Sequence, residues 1–99
     1  MKVIQKLVDR IDEELCDAQH YAECYVEEKA ASRANWAARF HGMAEDELRH
    51  SEIIHQYAVE KIESINKVYQ PTAEMQDKWD ESHRHYVDHH AWVKHMLEM

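Results

Sequence analysis

Glycine and proline occur once each in the 99 residues, so turn-rich β-hairpins, collagen-like repeats and long flexible linkers are excluded. Cysteine is nearly as scarce. Cys16 and Cys24 stand eight apart in one helical pattern, about 12 Å along its axis, too far for an internal disulfide. Two such thiols suit a reducing, cytoplasmic setting. Basic residues are in deficit, with 12 Lys and Arg against 20 Asp and Glu and a net charge of −8. Nucleic acid, which needs a basic stripe, is therefore not an expected partner, whereas cations are. No apolar run approaches the roughly 20 residues of a membrane span, and Met1-Lys2-Val3-Ile4 leads straight into a charged amphipathic pattern, so no membrane partner or signal peptide is expected. Leu, Ile, Val and Phe are few, which together with the charge would point to disorder. Ala, Met, Tyr and Trp supply further buriable surface, and the apolar residues are periodic, which reverses that reading. A chain this short buries about 60–65% of its unfolded surface, so residues 1–99 read as one small domain that leans on a second copy.

The periodicity is helical throughout. Ile4, Leu7, Val8, Ile11, Leu15, Ala18, Tyr21, Ala22, Tyr25 and Val26 share one face, and a second set runs from Trp36 through Phe40, Met43, Leu48, Ile54, Ala58 and Ile62 to Val68. Between them the pattern lapses over residues 29–35, where Ser32 or Asn35 can cap a new helix. Gly42 costs roughly 1 kcal/mol without breaking so strong a pattern. Pro71 ends the second helix and Thr72 can start a third, which carries Met75, Trp79, Tyr86, Val93 and Leu97 on one side. The expected fold is all-α: helices of about 3–31 and 34–69 forming an antiparallel hairpin, then a third helix of about 72–97.

Two carboxylates interrupt the apolar seam. Positions seven apart nearly superimpose on a helix, which sets Glu14 in the row of Leu7 and Tyr21. Asp17 falls in the row of Val3, Arg10 and Cys24, further from the centre of the face. Glu47 shares a row with Phe40, Ile54 and Val68, and His50 lies at its edge. A buried unpaired carboxylate costs several kcal/mol, so two of them need a counter-charge. Read singly, Glu-x-x-His is short and common, and its members can bond each other or an Arg or Lys. Hairpin geometry adds a constraint: the point midway between residues 14 and 47 falls at the inferred turn, so Glu14, Glu47 and His50 should meet at one level. No Lys or Arg is expected in the seam there, which makes a metal cation the economical partner.

The segments Asp12-Glu13-Glu14-Leu15-Cys16-Asp17-Ala18-Gln19-His20-Tyr21-Ala22 and Met43-Ala44-Glu45-Asp46-Glu47-Leu48-Arg49-His50-Ser51-Glu52 resemble the ferritin-like superfamily. The second is similar to the Glu-x-x-His helix of rubrerythrins. The 33-residue separation of Glu14 and Glu47 is typical of rubrerythrins and bacterioferritins, and Tyr21, one heptad after Glu14, matches a tyrosine found in rubrerythrins. Full ferritin-like domains carry two such hairpins around a di-metal site, and this chain has one. The resemblance is therefore to half-bundle types such as encapsulated ferritins, and it implies a four-helix bundle completed by homodimerisation. It also implies that Glu14, Glu47 and His50 from each chain ligate two metals, iron above all, with manganese or zinc as alternatives. The implied activity is ferroxidase-type oxidation of Fe(II) by oxygen or peroxide. Glu47 would bridge, Glu14 would be terminal, and His50 would bind through one ring nitrogen while Asp46 or Asp17 accepts from the other. Tyr21 would act with them in catalysis, and Tyr21 and Trp36 are candidate electron donors. Two rival readings stand beside this one: a helical assembly protein with no redox turnover, and a structural Zn(II) or Ca(II) staple of an oligomer.

The third helix is rich in histidine. Glu81, His85 and His89, four apart, could clip a surface metal or simply form a solvated face. His83 and His90 flank the apolar side and are expected to pack against the hairpin or a neighbouring subunit. His20 and His55 read as structural.

Overall fold

A computed structural model describes all residues from Met1 to Met99. Three helices account for nearly the whole chain: α1 (Lys2–Ala30), α2 (Ala34–Asn66) and α3 (Ala73–Leu97), with no strands. The bundle is rod-like, 55 × 17 × 17 Å, as expected when a helix of about thirty residues sets the long dimension. No helix is long and apolar enough to cross a membrane.

α1 and α2 form the antiparallel hairpin expected from their apolar periodicity. Its turn is built differently from the expected cap. Neither Ser32 nor Asn35 caps α2: the N-cap residue is Arg33, whose side chain makes no capping bond, and Asn35 lies inside the helix. Ser32 instead takes the left-handed conformation, φ 59°, that reverses the chain. The backbone nitrogens of Ala31, Ser32 and Arg33 donate to the carbonyls of Glu27, Lys29 and Glu28, so these amides already have partners. The Arg33 guanidinium closes the turn 3.1 Å from the Glu28 carboxylate.

α2 stops at Asn66, ahead of Pro71, because the Ile65 carbonyl accepts from both Val68 and Tyr69 and tightens the chain into a turn. Pro71 holds the connection out of helix until Thr72, extended at ψ 157°, caps α3 as expected, its hydroxyl accepting from the Met75 nitrogen at 3.1 Å.

The core joins Ile11, Leu15, Ala18 and Ala22 of α1, Ala44, Leu48 and Ala58 of α2, and Val93, Met96 and Leu97 of α3. Alanine at four of these positions lets the helix axes approach closely. α3 lies chiefly along α1 and buries residues only at its C-terminal end. Further up, half-buried Trp79 and Tyr86 and a series of histidines meet the hairpin. One row of α2 stays uncovered: Trp36, Met43, His50 and Tyr57, spaced seven apart, with Trp36 45%, Met43 41% and Tyr57 52% exposed.

Candidate metal centre

Glu14 projects from the middle of α1, and Glu47 and His50 from the middle of α2. The hairpin brings them to one height, with one donor atom of each within 4.8 Å of the others. His50 Nδ1 is 3.7 Å from Glu14 Oε2 and 3.7 Å from Glu47 Oε2. The carboxylates are largely shielded, Glu14 16% and Glu47 21% exposed, whereas the His50 side chain is half exposed on the uncovered row. The site is thus a shallow acidic recess in the open face of the hairpin.

Two carboxylates this close cannot both ionise cheaply. Glu14 and Glu47 share a hydrogen bond, and that bond, then burial, then the Glu14 charge hold Glu47 well above the usual carboxylate range, at about 7, against the opposing pull of His50. Asp17 adds a further upward push.

The expected absence of a basic residue at this level is corrected. Arg10 Nε lies 3.8 Å from Glu14 Oε1, reaching in from one turn earlier on α1. Its side chain is 64% exposed and also 3.6 Å from Glu13, so it screens Glu14 from the rim without filling the recess. Asp46 is not free to orient His50 either, since it pairs with Arg49 at 3.0 Å.

The donor set fits a divalent cation. An ion about 2.1 Å from each donor spans 3.7 Å separations at an angle of about 120°, within the range of oxygen- and nitrogen-ligated sites. Two carboxylates and one imidazole suit Fe(II), Mn(II) or Zn(II), and nothing in the geometry selects among them. Three donors do not complete a coordination shell, and the open side of the recess faces the uncovered row of α2.

The other singled-out residues are placed as follows. Tyr21 packs half-buried against the core, two turns or about 10 Å along α1 from Glu14. Trp36 lies eleven residues from Glu47, about 16 Å along α2, against Phe40 and under the Arg39 guanidinium at 5.0 Å, remote from the recess of its own chain. Glu81, His85 and His89 do not assemble as a clip: His89 is drawn to Gln19 at 2.7 Å, His85 leans toward Asp12 at 3.9 Å, and Glu81 stays exposed. His90 meets Glu52 at 2.9 Å, and His83 meets His55 at 3.0 Å, both on the hairpin of their own chain. His20 is exposed. The His55–His83 contact had no periodic signal, because it depends on the azimuth at which α3 docks. Compared with protein-family models, with curated proteins and with solved structures, the chain matches none.

Proposed function

We propose that this chain is one half of a ferritin-like di-metal oxidoreductase that binds Fe(II), with Mn(II) or Zn(II) as alternative occupants, and oxidises the iron with oxygen or peroxide. The observation that carries the reading is the convergence of Glu14, Glu47 and His50 Nδ1, with one donor atom of each within 4.8 Å of the others. Two copies meeting across the uncovered row of Trp36, Met43, His50 and Tyr57 would bring two such half-sites together as a four-helix bundle. Four carboxylates and two imidazoles would then face two divalent cations, giving a nearly neutral centre. Iron, when bound, supplies the one-electron chemistry that side chains lack.

The chain's own residues do the rest. Glu47 gives up its shared proton as the cation enters, and so couples binding to pH. Glu14 stays screened by Arg10 on its outer oxygen and offers the other inward. His50 turns Nδ1 inward, which leaves Nε2 to carry its proton toward solvent or the second copy. Tyr21, packed against the core two turns away, provides the phenol best placed on α1 to pass an electron.

The test is anaerobic Fe(II) titration of metal-free protein, then exposure to air while near-ultraviolet absorption is followed. Saturation near about one iron per chain with fast oxidation, both lost in Glu47→Ala, is expected. Sedimentation should give an even number of chains. Absence of Fe(II) binding at neutral pH would overturn the proposal. A metal-free assembly protein is the rival, favoured by the Arg10–Glu14 contact, which supplies a positive charge from the chain itself. On that reading Glu14→Ala with Glu47→Ala raises stability and Fe(II) is ignored.

A further inference from the structure

α3 packs along α1 and reaches α2 mainly through side chains. At one of these contacts two imidazoles from different helices meet: His55 Nε2 of α2 lies 3.0 Å from His83 Nδ1 of α3. The His55 ring is stacked on Tyr86, centroids 4.0 Å apart and planes within 8°, which fixes the direction of its lone pair. Burial, then the neighbouring His83 and His90, hold His55 below the ordinary imidazole range, so it is neutral and able to ligate at neutral pH. Among the carboxylates around this cluster, Glu52 of α2 pairs with His90 at 2.9 Å and Asp12 of α1 faces His85 at 3.9 Å.

The spacing suits a shared ion. Two imidazole nitrogens each about 2.0–2.1 Å from one cation stand about 2.9 Å apart at a right angle and about 3.4 Å apart at the tetrahedral angle. The observed 3.0 Å falls between these. The single proton now lying between the nitrogens can move to an outer ring nitrogen by tautomerisation, so both inner nitrogens present lone pairs with no change in net protonation. The donors differ in kind from the carboxylate recess: an all-imidazole pair favours late first-row ions over Fe(II) or Mn(II).

We propose that His55 Nε2 and His83 Nδ1 form a second metal site, for a late first-row divalent cation of the Ni(II), Cu(II) or Zn(II) class, that staples α3 to α2. Water completes the coordination on the open side. The site is independent of the carboxylate recess.

The test uses the full chain carrying His50→Ala, which disables the recess, with Ni(II) as the probe because the two free thiols would reduce Cu(II). Expected are saturation at about one Ni(II) per chain, a raised melting temperature, and selective broadening of the His55 and His83 imidazole resonances. His83→Ala and, separately, His55→Gln should each weaken binding by about tenfold or more. The exposed pair His85→Ala with His89→Ala should leave it unchanged. Ni(II) affinity that survives His83→Ala, or that is lost with His85 and His89 instead, overturns the proposal, as does the absence of saturable binding. Circular dichroism checks that each variant folds, and His55→Gln keeps the side-chain volume should His83→Ala loosen α3.

Discussion

Replacing Glu47 with Gln removes one titratable group while keeping an amide that can donate to Glu14 as the protonated acid does. In the metal-free protein Glu47 titrates near 7 rather than 4.5. The folded state therefore holds a proton that the unfolded chain releases between these values. That contribution to stability is fully present below pH 4.5 and is lost as pH rises through about 7. A displacement of this size corresponds to at most about 3 kcal/mol, which solvent access to the open face screens to on the order of 1–2 kcal/mol, or roughly 5–10 °C in melting temperature for a domain of this length. His55 and His89, held low by burial, act in the opposite direction, their contribution being lost as pH falls. They are common to both proteins and cancel in the difference. The assay is urea unfolding of parent and Glu47→Gln in chelator from pH 4.5 to 8. The variant should match the parent at the acid end and exceed it by about 1–2 kcal/mol at the alkaline end. Parallel curves would refute the shared proton, and with it the view that the recess is built around a missing positive charge. Adding Mn(II) should flatten the parent's decline, because a cation replaces the proton and binds more tightly as pH rises.

Three further substitutions check the frame that holds the site. A methyl group on Gly42 would meet nothing within 4 Å, so Gly42→Ala should add about 1 kcal/mol by thermal unfolding; a loss would mean that another backbone approaches there. Leu15 is fully buried where the three helices join, and Leu15→Ala should cost about 2–5 kcal/mol in denaturant unfolding. Thr72→Ala removes the cap of α3 and should cost about 1 kcal/mol, with faster amide exchange confined to the first turn of that helix.

Much of the site was legible because helices make distance along the chain into direction in space. Heptad rows put Glu14 and Glu47 on apolar faces, and the symmetry of an antiparallel hairpin about its turn set them at one height. That height match does not depend on which residue makes the turn: Ser32 reverses the chain through its backbone, and the turn lies where the periodicity lapses. The rows do not reveal Arg10, because a row describes where a Cβ points, and a long guanidinium side chain on the rim reaches a carboxylate one turn away. The Glu81, His85 and His89 clip failed for a related reason, since spacing on one helix takes no account of the partners another helix offers.

Periodicity, a single Pro and a single Gly thus determined three helices, a hairpin and the pair of carboxylates in its seam, because each depends on local geometry that repeats every turn. The tertiary structure decided what repetition cannot express. The protonation of Glu47 follows from how closely two side chains from different helices approach and how little water reaches them. The partners of the histidines follow from the angle at which α3 lies down along α1. The uncovered row of α2 exists because α3 covers the other face of the hairpin, where Val93, Met96 and Leu97 close the core.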